Sequence, residues 1–106
     1  MSEKEIFKLE PEPSFWASVE IPVPGGVKTI RVRYKYRNID EFAAFLQEIK
    51  DAEDLDALML MIEEWQGPDA AFSRETLQRL LRNYPRATRP LYKTYRTELL
   101  GAVEKN

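Results

Sequence analysis

The chain has 106 residues, with 16 Lys plus Arg against 18 Asp plus Glu and a formal net charge of −2. That length holds one domain around one core and excludes a two-domain enzyme. Neither cysteine nor histidine occurs, which excludes disulfides, thiolate chemistry, imidazole metal sites and every His-based triad.

The composition, 43% hydrophobic and 32% charged, is that of a folded domain and not of a disordered chain. The charges are segregated. Residues 1–27 carry two cations against five anions and residues 28–37 carry five cations alone. Residues 38–72 carry Lys50 against ten carboxylates, a net −9, and residues 73–106 carry eight cations against three anions. Blocks of this kind describe solvated faces that attract one another within the fold, or a polar surface shaped for a protein partner.

Met1-Ser2-Glu3-Lys4-Glu5 is charged and lacks the apolar run of a signal peptide. No stretch approaches the roughly 20 apolar residues that span a bilayer, so no membrane association is expected. Glu10-Pro11-Glu12-Pro13 follows, and alternate prolines that fix φ and remove donors predict an extended or mobile arm over 1–14.

From Phe15 the apolar period is two. Phe15, Ala17, Val19 and Ile21 alternate with Trp16, Ser18 and Glu20, and Ile30, Val32, Tyr34 and Tyr36 alternate with Arg31, Arg33, Lys35 and Arg37. This predicts a hairpin over 15–37, turned at Pro24-Gly25, with Pro24 presetting φ and Gly25 supplying a positive one. Four cations should then project from the wet face of the second strand.

Beyond Arg37 the period is helical. Asn38 with Glu41 forms a capping box, and Ile39, Phe42, Phe45, Leu46 and Ile49 fall on one stripe. A second helix is expected from Asp54 through Leu55, Leu58, Met59, Ile62 and Trp65, ended by Gly67-Pro68. Ser73 caps a third, with Leu77, Leu80, Leu81 and Tyr84, closed by Tyr84-Pro85. The last starts between Pro85 and Pro90 and carries Leu91, Tyr92, Tyr95, Leu99, Ala102 and Val103. The expected fold is therefore α+β, a single domain over 15–106 with an N-terminal β-hairpin followed by a bundle of about four short helices at 38–106.

Little in this pattern points to catalysis. Pro24-Gly25-Gly26-Val27-Lys28-Thr29 lacks the glycine directly before Lys-Thr and the following helix that a phosphate loop needs, and reads as a turn. Asp51, Glu53, Asp54 and Asp56 lack the glycine of an EF-hand loop and suit the positive end of a helix. Glu63 and Glu64 read as a solvated helix face, and a carboxylate pair would need a cleft for which so short a chain has little room. Neither an enzyme activity nor a cofactor or metal is expected.

The row Arg31, Arg33, Lys35 and Arg37 is the best candidate for nucleic acid. The interleaved Tyr34 and Tyr36 point to the opposite face, however, whereas stacking platforms need aromatics and cations together. A sequence pI of about 5.3 also lacks a basic footprint. The strip is read instead as facing the −9 segment or an acidic partner helix. Trp16, opposite in phase to Phe15, is either buried or an edge anchor of the type common at binding hot spots, whereas Trp65 is expected in the core. Trp16, Arg31, Arg33, Lys35 and Arg37 are the candidate partner-binding residues.

The chain resembles the small tail assembly chaperones of long-tailed bacteriophages and prophages. The resemblance is carried by Phe15-Trp16 at the hairpin start, Arg31-Val32-Arg33-Tyr34-Lys35-Tyr36-Arg37, Trp65-Gln66-Gly67-Pro68-Asp69 with Phe72-Ser73, Leu80-Leu81-Arg82-Asn83-Tyr84-Pro85 and the terminal Lys105-Asn106. Pro90 departs from the pattern, which bears on where the last helix starts. The resemblance implies a non-enzymatic protein of the bacterial cytoplasm. It would bind the helical tape measure protein, keep it soluble until the tail tube polymerises, and be absent from the finished virion. It also implies a longer form, made by a −1 frameshift, that recruits tail tube protein. Glu104-Lys105-Asn106 is compatible with this, because GAA AAA AAC contains the slippery heptamer A AAA AAC in phase. Exposed apolar stripes on short helices imply weak self-association. The competing readings are a phage regulatory or nucleic-acid-binding protein using the basic strand face, and a structural tail subunit.

Overall fold

The computed structural model describes residues 6–101. In chain order they form β1 (Ser14–Val23), β2 (Gly26–Lys35), α1 (Ile39–Glu48), α2 (Asp54–Met59), β3 (Ile62–Gln66), α3 (Arg74–Asn83), a 3-10 turn (Pro85–Ala87) and α4 (Thr88–Leu100). The three strands make one antiparallel sheet in the order β1-β2-β3, so the fold is α+β as expected. Residues 6–13 precede β1 without regular structure. Met1 to Glu5 of the expected arm, Ala102 and Val103 of the expected last helix, and Glu104-Lys105-Asn106 lie outside the described residues.

The hairpin follows its sequence closely. Val23 pairs with Gly26 across the two-residue turn, and Gly25 takes φ 88°, a left-handed value that glycine adopts without steric penalty. Inward residues alternate along both strands, with Ala17, Val19 and Ile21 of β1 and Ile30, Val32 and Tyr34 of β2 all buried.

Two helix starts are also as read. Asn38 Oδ1 accepts from the Glu41 amide while Glu41 Oε1 accepts from the Asn38 amide. Ser73 and Thr76 exchange the same pair of bonds, giving α1 and α3 two satisfied donors each at their otherwise unpaired N-termini. Pro90 lies within the first turn of α4, where its missing N–H has no helical partner to lose.

The helix expected to run from Asp54 to Trp65 is a correction. It ends at Met59, and Ile62–Gln66 is instead the third strand, paired with β2. The reason is a β-bulge. Arg33 stands opposite Glu64 and Tyr34 opposite Ile62, so Glu63 is one residue more than the ladder needs. The bulge places Ile62 and Trp65 on the core face three residues apart, the same interval a helix uses for one face. A strand wins because it satisfies the open edge of β2, a pairing continued by the Lys35 amide donating to the Met61 carbonyl.

The core lies on one side of the sheet, with α4 against β1 and α2 meeting α3 and α4. Its centre is aromatic. Tyr34 and Tyr95 stack with ring centroids 5.1 Å apart, and Phe15, Phe42 and Phe45 surround them at 5.6 to 6.3 Å. The buried Tyr34 hydroxyl donates to the Leu91 carbonyl in α4 at 2.8 Å, tying the sheet to the last helix.

Candidate functional site

The sheet's other face is open, and its rows follow from register. Trp16, Arg33 and Glu64 align across the three strands, as do Ser18, Arg31 and Gln66, and Ser14 opposes Lys35. Trp16 is half-buried there. The bulge turns both Glu63 and Glu64 outward, and both reach Arg33. The Arg33 Nε lies 3.2 Å from Glu63 Oε1, and its terminal nitrogen donates to Glu64 Oε1 at 3.1 Å. Arg33 is also held by Ser14 Oγ at 3.1 Å. The basic strand thus meets the acidic segment, as the charge pattern predicts, but through a strand rather than a helix face. Arg31 and Lys35 form no ion pair among the described residues, Arg31 donating only to Ser18 Oγ at 3.3 Å.

The fourth cation of the expected row does not join it. β2 ends at Lys35, the Tyr36 amide donates to the Pro13 carbonyl, and Arg37 turns beneath the sheet. One of its terminal nitrogens donates to the Leu60 carbonyl at 3.0 Å and to the Tyr95 hydroxyl at 2.8 Å. Its guanidinium carbon sits 4.1 Å from the centre of the Phe45 ring, a cation–π contact. Strand alternation stops where the ladder stops, so parity says nothing of this position. Burial pushes the Tyr95 hydroxyl above its ordinary pKa, partly offset by the Arg37 contact, and burial raises that of Tyr34 further. Both phenols are neutral hydrogen-bonding groups of the interior.

A groove opens on the core side near the hairpin tip. It has a volume of about 510 Å³ and lies between Ile21, Val23 and Ile30 of the hairpin, the Gly67–Ala70 loop, and Leu80 and Tyr84 of α3. Its floor includes Trp65, whose indole N–H donates to the Ala70 carbonyl at 2.7 Å and whose ring meets Phe72 edge-on. That bond and Gly67 shape the loop. Gly67 takes φ 121°, and a Cβ there would stand 3.2 Å from Ile30 Cγ2, so only glycine lets the loop come this close. Lys28 and Arg79 border the groove with positive charge and Asp69 with negative. The apolar stripe of the third helix holds Leu80 and Tyr84, yet each is only half-buried, as is Val23 beside the hairpin turn. Periodicity identifies a face without telling how deeply it is covered, so the groove is absent from the candidate residues.

The acidic cluster lies around the start of α2. Glu53 precedes α2, Asp54 and Asp56 occupy its first turn, and Asp56 accepts from Arg74 at 2.6 Å. Among the described residues, no group of three or more Asp or Glu side chains is placed to hold a metal ion. No helix of the described residues is long and apolar enough to cross a membrane.

An apolar groove bordered by charges of both signs thus lies on the core side of the sheet, and the other face carries Trp16, Arg31 and Arg33. The family model of the phage tail assembly chaperones matches residues 1–106, the entire chain. The protein belongs to the phage tail assembly chaperone family. No curated protein and no solved structure matches it.

Proposed function

We propose that the groove at the hairpin tip binds apolar side chains of the helical tape measure protein and keeps that protein soluble until tail tube subunits cover it. The observation that carries this reading is the groove itself, in a chain of this family. Its apolar walls, Ile21, Val23, Leu80 and Tyr84, suit the anchors of an amphipathic helix, and Lys28, Arg79 and Asp69 suit its polar flanks. A holding chaperone must release its client, and a groove open to solvent with charged borders gives a contact that forms quickly and weakens with salt.

The open sheet face is a second proposed contact. Trp16 supplies an aromatic anchor, Arg31 and Lys35 supply cations, and Arg33 is held in place by Glu63 and Glu64. Arg37 supports this face from below by fixing the end of β2 against α4. On this reading the protein performs no catalysis, works in the cytoplasm of the bacterial host and leaves before the virion is complete. A longer frameshifted product would bring tail tube protein to the same client.

Co-expression with the tape measure protein tests the assignment. The two should co-purify at low salt, separate as salt rises, and lose association on Val23→Asp, which places a charge at the groove wall. Failure to co-purify at low salt would remove the client assignment. Steeply salt-dependent binding to short DNA or RNA, abolished by Arg31→Glu, would favour the nucleic-acid reading. Persistence in purified particles would favour a structural subunit.

A further inference from the structure

Three large apolar side chains immediately before the sheet have no cover: Ile6, Phe7 and Leu9 are 86%, 86% and 83% exposed. In an extended segment Phe7 and Leu9 project to the same side, about 7 Å apart, while Lys8 projects to the other. We propose that this arm docks in the hairpin-tip groove of a second copy of the chain, in a reciprocal exchange that forms a two-fold dimer.

Two observations select that occupant. The first is charge. Residues 6–13 of the arm carry one cation, Lys8, followed by two anions, Glu10 and Glu12, whereas the groove border carries one anion, Asp69, and two cations, Lys28 and Arg79. The Lys8–Glu12 contact within the arm, at 2.8 Å, is fully solvated and readily exchanged for partners on the groove.

The second is reach. Pro13 is fixed beside Tyr36 at the base of the hairpin, whereas the groove begins at Ile21 and Val23 near its tip. A reversal at Pro11-Glu12 would lay Glu10 beside Pro13 and bring Ile6 back only as far as Ala17. That is four residues, about 13 Å, short of Ile21. Ile6, Phe7 and Leu9 therefore reach this groove in another molecule and not in their own. A closed pair in which each arm fills the other's groove leaves no unmatched surface to propagate.

The groove is the one assigned above to the tape measure protein, and the inference rests on its being a docking surface for apolar side chains. Its test contains no tail protein, so either proposal can fail while the other stands. Sedimentation of the full chain should show a dimer that dissociates on dilution. Phe7→Glu, a change in a solvated arm that leaves the core untouched, should raise the dimer dissociation constant at least about tenfold. Glu10→Arg and Arg79→Glu should each weaken the dimer, and together restore it. The chain has no native cysteine, so a spin label on Ile6→Cys reports on one position. Mixed with unlabelled, isotope-enriched protein, it should broaden the amides of Thr29, Leu80 and Tyr84 in the other molecule. A monomer at high micromolar concentration, a dimer indifferent to Phe7→Glu and the charge swap, or unchanged Thr29, Leu80 and Tyr84 amides in the mixed sample would each overturn the proposal.

Discussion

The two faces of the sheet are held by different physics. Beneath it, the buried Tyr34 and the half-buried Arg37 place their hydrogen bonds in an aromatic cluster, where an unpaired partner is costly. Above it, Arg33 meets two glutamates in water, where each pair contributes little. The inner face therefore decides whether the chain folds, and the outer face is free to vary its charges at little cost to the fold.

The sharpest way to break that contrast is from below. Leu91→Ala should cost about 2–5 kcal/mol in urea denaturation, because Leu91 is fully buried where α4 meets the sheet. Arg37→Met should cost about 1–3 kcal/mol, since it leaves the Leu60 carbonyl and the Tyr95 hydroxyl without their shared donor. A loss no larger than that of an exposed arginine would place Arg37 with the outer row after all. Gly67→Ala should cost roughly 1–3 kcal/mol through its backbone conformation and its approach to Ile30, with groove binding lost before the fold is.

Two smaller effects sharpen the contrast. The raised phenol pKa values of Tyr34 and Tyr95 mean that the folded state prefers the neutral forms. Their contribution is complete below the ordinary value of 10.0 and is lost as pH rises above it, because the unfolded chain then ionises first. Urea midpoints should fall above pH 10.0, with a shallower decline in Tyr34→Phe. Least of all, Arg33→Gln should cost below about 1 kcal/mol and should reduce the salt dependence of stability.

Much of this architecture was legible in the sequence, and the parts that were not have specific causes. Phe15 to Arg33 alternate cleanly, and Asn38–Glu41 and Ser73 announce their helices through local hydrogen bonds that distant contacts do not alter. The segment from Leu58 to Trp65 misleads because a bulge at Glu63 gives a strand the spacing of a helix. Its strand character comes from β2, about thirty residues away, and a short peptide spanning 54–67 should lean toward helix instead. On the open face, Trp16, Arg31, Arg33 and Lys35 were found by alternation alone. Alternation also puts Arg37 in this row, because it does not reveal where a ladder ends. The groove was hidden for a related reason: Leu80 and Tyr84 belong to an apolar stripe, but nothing local reveals that the hairpin tip leaves part of that stripe uncovered.

The two tryptophans stand on opposite sides of this sheet, Trp16 half-buried on the charged side and Trp65 only 7% exposed beneath the Gly67–Ala70 loop. Replacing either with phenylalanine would leave a single emitter whose colour and quenching belong to one side. The Trp65 signal would follow unfolding and events in the groove, while the Trp16 signal would follow contacts on the outer surface. The chain thus carries two native optical gauges, separated by the thickness of one layer of backbone, that report on each side of the sheet without any added dye.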